Sequence, residues 1–107
     1  MLDPSQLENL EPDLLKNVLE PLFDDFQHWF SRAKKVLEQP SLEFLSSEEQ
    51  ISLLESVTGA LEEVNAARAL FSATDGKAGV DTKVVLEWHQ LVTLCWKVLI
   101  QASRSET

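Results

Sequence analysis

Two histidines, His28 and His89, one cysteine, Cys95, and the glycine-bearing stretch Thr74-Asp75-Gly76-Lys77-Ala78-Gly79-Val80-Asp81 are the places where this sequence could do chemistry. A calcium loop needs oxygen ligands at positions 1, 3 and 5, Gly at 6 and Glu at 12. With Gly79 at position 6, Thr74, Gly76 and Ala78 fall on the first ligand sites and Val85 on the last; with Gly76 there, the loop starts on Phe71. A phosphate loop requires an earlier Gly and a following hydroxyl, but Phe71 and Ala78 hold those places. No strand precedes the glycines, as dinucleotide binding demands. The stretch is therefore expected to end one helix, with Gly76 left-handed after the last turn, and to start another capped by Asp81.

His28 follows Asp24 and Asp25 at helical spacing, so imidazole and carboxylate share a face. A di-metal bundle would need two such acid–histidine pairs and two more inward carboxylates. His89 stands two residues from Glu87, where side chains diverge, and lies about 240° around a helix from Cys95. The spacing favours a solvated ion pair at His28 and a small buried apolar residue at Cys95. No nucleophile, base and orienting group come together, so no enzyme, catalytic residue, cofactor or metal is expected. A metal-binding bundle of Asp24, Asp25, His28, His89 and Cys95 is the alternative.

The elements carrying these residues are helical. The chain has 107 residues, 44% of them hydrophobic, only three glycines and no tyrosine. That suits one helical domain over residues 1–107 rather than a turn-rich β fold. Eighteen acids against nine bases leave a formal charge of −9. Such a surface repels phosphate backbones and anionic lipid, so neither nucleic acid nor membrane is the expected partner. A lone cysteine and the lack of a signal peptide or an 18-residue uncharged segment make the cytoplasm the expected location.

Asp3-Pro4-Ser5-Gln6 reads as the start of a short helix reaching about Leu10. Pro12 opens the next, in which Leu15, Leu19, Leu22, Phe26, Trp29, Ala33 and Val36 form an apolar stripe and Phe23, Phe30 and Leu37 a second row beside it. Pro21 inside this stripe predicts a kink or break near Glu20. Ser46 with Glu49, and Ser47 with Gln50, read as overlapping capping boxes. The helix they start has a stripe of Leu53, Val57, Ala60, Leu61, Val64, Ala67 and Phe71. In the last helix, reaching about Ser103 and followed by a frayed tail over 103–107, Val84, Leu91, Val92, Cys95, Leu99 and Ala102 cluster within about 60° of Trp88. Leu86, Trp96 and Ile100 lie well off that face. The expected fold is all-α, an antiparallel bundle of three long helices, one kinked or broken near Pro21, plus a short N-terminal helix.

The segments EPLFDDFQHWF (20–30), FLSSEEQISLL (44–54), LFSATDGKAGVD (70–81) and WHQLVTLCW (88–96) resemble a family of small helical cyanobacterial proteins of unknown function. The resemblance spans nearly the whole chain and is expected to take in a β-carboxysome assembly factor. It implies a cytosolic adaptor, associated with carboxysomes and so with photosynthetic carbon dioxide fixation, that binds the C-terminal extension of a hexameric shell protein. No residue-level site accompanies it. Read from the residues, Phe23, Phe30, Leu37, Leu86, Trp96 and Ile100 are surplus apolar surface that could line a groove for a partner's peptide tail. The same surface could instead make a homodimer, leaving monomer or dimer open.

Overall fold

A computed structural model describes residues 12–105 apart from Ser41 and Ala78. Over these residues the fold is three α-helices: α1 (Pro12–Leu37), α2 (Ser47–Ala73) and α3 (Thr82–Ser105). There are no strands among them. The short helix expected over residues 3–10 lies outside the described residues, as do residues 106 and 107. Helix α3 continues through Ser103 to Ser105, so this part of the expected frayed tail is helical.

Of the kink or break expected near Glu20, the break does not occur. Helix α1 runs unbroken for 26 residues with Pro21 inside it. Pro21 is exposed, and so is Asn17, whose carbonyl loses its helical donor to the proline ring. On the wet side of a helix water can satisfy that carbonyl, while the buried side is untouched.

The core of α1 is Leu19, Phe23, Phe26, Phe30, Ala33 and Leu37, a run of alternating four- and three-residue steps. Leu22, Trp29 and Val36, placed by periodicity in the main stripe, are only partly buried beside it. The row expected to be surplus is thus the centre of the core. The reason is that α1 packs against both α2 and α3, so its buried arc must be wide enough to serve two neighbours. Phe23 meets Phe71 of α2 edge to face at 5.6 Å, and Phe26 meets Trp88 of α3 at the same distance. Each fully buried phenylalanine contributes about 1.5–3 kcal/mol. The other two stripes lie largely as spacing predicts: Val57, Ala60, Val64 and Phe71 are buried on α2, and Trp88, Val92, Cys95 and Val98 on α3.

The connectors are held by local chemistry. Ser46 caps α2: its Oγ accepts from the Glu49 N–H at 3.1 Å, and its own N–H donates to Glu49 Oε1 at 3.0 Å. The Ser46 N–H first, and the Ser46 hydroxyl beside the carboxylate second, hold the Glu49 carboxyl below its ordinary value. The second expected box, Ser47 with Gln50, does not form. Gln50 is buried and turns to the preceding connector, where Nε2 donates to the carbonyls of Leu37 at 2.9 Å and Gln39 at 2.7 Å, and Oε1 accepts from the Leu42 N–H at 3.3 Å.

Helix α2 ends in a Schellman motif: the Gly76 N–H donates to the Phe71 carbonyl at 2.8 Å and the Asp75 N–H to that of Ser72 at 3.2 Å. Asp75 takes the left-handed position just past the cap, with φ 52°, and Gly76 follows at φ 82°. Asp81 then starts α3 as expected, its Oδ1 accepting from the Lys83 N–H at 2.9 Å and its carbonyl from Val84 and Val85. The stretch that looked like a ligand loop is a terminator and a cap.

Candidate functional site

Polar bonds join α2 both to α1 and to α3. Arg68 of α2 pairs with Asp24 of α1 at 2.6 Å and donates to Gln27, whose amide in turn donates to Asn65 Oδ1 at 2.7 Å. Between α2 and α3, the Trp88 indole N–H donates to Glu63 Oε2 at 3.1 Å, which satisfies the only polar atom of a buried ring. Both helices pack closely on α1, but their backbones approach each other far less. A groove is left between them on the side away from α1.

This groove has two lengths, as the antiparallel course of α2 and α3 requires. One, of about 590 Å³, lies between the start of α2 and the end of α3, with Leu53, Leu91, Leu94 and Val98 as its apolar lining and Glu48, Glu49 and Lys97 among its polar residues. The other, of about 500 Å³, lies between the end of α2 and the start of α3. Here Ala66, Ala67, Leu70, Val84 and Trp88 are lined up with Glu63, Asp81 and Glu87, and no base joins them. Leu70 is 59% exposed and Leu94 46%, high for leucines facing a neighbouring helix.

A second, smaller cleft of about 340 Å³ is formed by Trp29, Trp96, Leu99 and Ile100 where α3 meets the other edge of α1. The rings of Trp29 and Trp96 meet edge to face at 5.8 Å. Arg32 lies over Trp29 at 5.7 Å from the ring centroid, and His28 meets the same ring at 4.8 Å. His28 and Arg32, both exposed, thus rest against the same half-buried Trp29 ring.

The six residues expected to bind a partner divide evenly. Phe23, Phe30 and Leu37 are at most 1% exposed and face the core, so they cannot line a groove in this fold. The cause is the wide buried arc of α1. Leu86, Trp96 and Ile100 are exposed, Trp96 and Ile100 at the small cleft and Leu86 apart from it. On α3 they lie on the opposite flank from Val84, Glu87, Leu91 and Leu94, which face α2. The α2–α3 groove was missed because its lining residues belong to two helices and each looks like the ordinary edge of a stripe.

The alternative metal constellation does not assemble. Among the described residues no group of three or more His, Cys, Asp or Glu side chains converges. Asp24 is taken by Arg68, and Cys95 is fully buried in the apolar core, where desolvation pushes its thiol up to about 11. No helix among the described residues is long and apolar enough to cross a membrane.

A family profile described as a protein of unknown function, DUF2605, matches residues 9–104. Neither the curated proteins nor the solved structures returned a match. With nearly the whole sequence covered, the chain belongs to the DUF2605 family.

Proposed function

We propose that this DUF2605 member is a non-catalytic adaptor that binds another protein through the groove between α2 and α3. The observation that carries the reading is the groove itself: two long helices, both anchored on α1, leave apolar side chains such as Leu70 and Leu94 facing an open seam. A groove between helices is a natural seat for a partner's helix or tail. The resemblance to small cyanobacterial proteins supplies the partner in this proposal, the C-terminal extension of a hexameric carboxysome shell protein, and with it a cytoplasmic, carboxysome-associated role. The test is retention of a purified shell hexamer by the immobilised chain. The intact hexamer should be held and one lacking its extension should pass through. Equal retention of both, or of neither, contradicts the adaptor role.

The outer flank of α3 supports a second reading. Leu86, Trp96 and Ile100 are 53%, 39% and 52% exposed, and a second copy could cover them. Sedimentation across a range of concentrations separates the two: a homodimer seam predicts a mass that rises with concentration and a Trp96→Glu variant that stays monomeric.

A further inference from the structure

The charge around the α2–α3 groove restricts what can lie in it. In its 500 Å³ length the ionisable lining residues are Glu63, Asp81 and Glu87, all acidic. In its 590 Å³ length Glu48 and Glu49 outnumber Lys97, and the cap bonds from Ser46 keep Glu49 ionised to lower pH than an ordinary glutamate. An apolar trough with acidic edges attracts a segment that carries cations on both sides of an apolar stripe and repels an acidic one. Two occupants from the chain itself are disfavoured on that ground. Residues 1–11 contain Asp3, Glu8 and Glu11 and no Lys or Arg, and a second copy brings another net charge of −9.

The shape points to a helix. Helix α1 lies beneath the seam, and α2 and α3 form its two walls. A fourth helix laid opposite α1 would complete a four-helix bundle and cover Leu70, Val84 and Leu94.

We propose that the groove takes a basic amphipathic helix of another protein, with its apolar stripe on Leu70, Val84 and Leu94 and its Lys or Arg side chains beside Glu63, Glu87 and Glu49. This inference rests on the adaptor reading and specifies the chemistry of the partner segment.

The probes are two labelled synthetic peptides of about 18 residues, five helical turns, with the same leucine face and either lysines or glutamates on the polar face. Binding to the full chain is followed by fluorescence anisotropy at low salt. Three proteins are compared: wild type, the groove variant Glu63→Gln with Glu87→Gln, and a charge-matched control, Glu38→Gln with Glu43→Gln, in the α1–α2 connector. All four positions are exposed, and the amide oxygen that Glu63→Gln supplies can still accept from the Trp88 indole N–H, so the core packing is kept. The lysine peptide should bind wild type and control alike, lose about fivefold or more in affinity on the groove variant, and weaken with salt; the glutamate peptide should not bind. Equal binding to all three proteins, equal binding of both peptides, or no binding of the lysine peptide overturns the proposal. Shell-hexamer retention is a separate measurement, so a neutral or extended tail held by the chain would preserve the adaptor role while removing this inference.

Discussion

Gln50 holds the junction between α1 and α2, because its one amide serves two carbonyls and an N–H of the connector. Leucine at this position would leave the Leu37 carbonyl and the Leu42 N–H without this partner in a buried place, at a cost of about 1–3 kcal/mol for each group left unsatisfied, whereas the part-buried Gln39 carbonyl can turn to water. Gln50→Leu should therefore lower the thermal midpoint by several degrees without loss of helical content at low temperature, as circular dichroism would show; an unchanged midpoint would mean that water replaces the amide. Local reading placed Gln50 in a capping box because the Ser-x-x-Gln pattern is a short-range signal, whereas the carbonyls it serves are 11 and 13 residues earlier in the chain. Cys95, by contrast, was legible from its place in a helical stripe. Its thiol stays neutral up to about pH 11 in the fold, against an ordinary value of 9.0. A folded value raised above the unfolded one contributes stability that is present below pH 9.0 and is lost as pH rises toward 11. Native protein should resist thiol reagents at pH 8 and react in denaturant, and fast labelling of the native chain would contradict the burial.

At the scale of the elements, the positions of the helices were readable, whereas the choice between a kinked and a broken α1 was not. Proline was given its average effect on a helix, but that effect depends on which side the lost bond lies, and side is a tertiary property. With α1 unbroken, Pro21→Ala restores a donor to the Asn17 carbonyl and a better helix former, so it should stabilise the fold by about 1–3 kcal/mol. Had the chain broken at Glu20, alanine would bring little or would destabilise, and chemical denaturation distinguishes the two. The turn between α2 and α3 has a similar lesson. Glycine was expected in the first left-handed place, but Asp75 occupies it and Gly76 comes next. Asp and Asn tolerate that region better than other side chains, so either residue was a physically open choice. Lys16 meets Asp75 at 3.2 Å, yet both side chains are too exposed for the pair to decide the turn. Gly79, at φ 65° with no atom within 4 Å of an added Cβ, isolates the backbone contribution. Gly79→Ala should cost about 1–2 kcal/mol in denaturation and leave the packing unchanged.

For the whole molecule, the all-α class followed from stripe lengths, capping residues and few glycines, but the groove did not. A stripe shows which face of one helix is apolar; it does not show how closely two such faces approach. Phe23, Phe30 and Leu37 looked like surplus surface because the neighbouring stripe already supplied a core face, but packing on both α2 and α3 buries them. With them in the core, the large exposed apolar side chains among the described residues are Leu70 and Leu94 at the seam, Leu86, Trp96 and Ile100 on the outer flank of α3, and Ile51 near the start of α2. In the proposed account the acidic rim makes the seam the seat for a basic partner. The most direct measurement is affinity capture from a cyanobacterial lysate with wild type, the Glu63→Gln and Glu87→Gln variant, and Trp96→Glu as parallel baits. An adaptor working through the seam predicts a carboxysome shell protein bound to wild type and to Trp96→Glu, and clearly less of it on the groove variant. A bait that retrieves only its own chain, or a shell protein lost with Trp96→Glu alone, would contradict it.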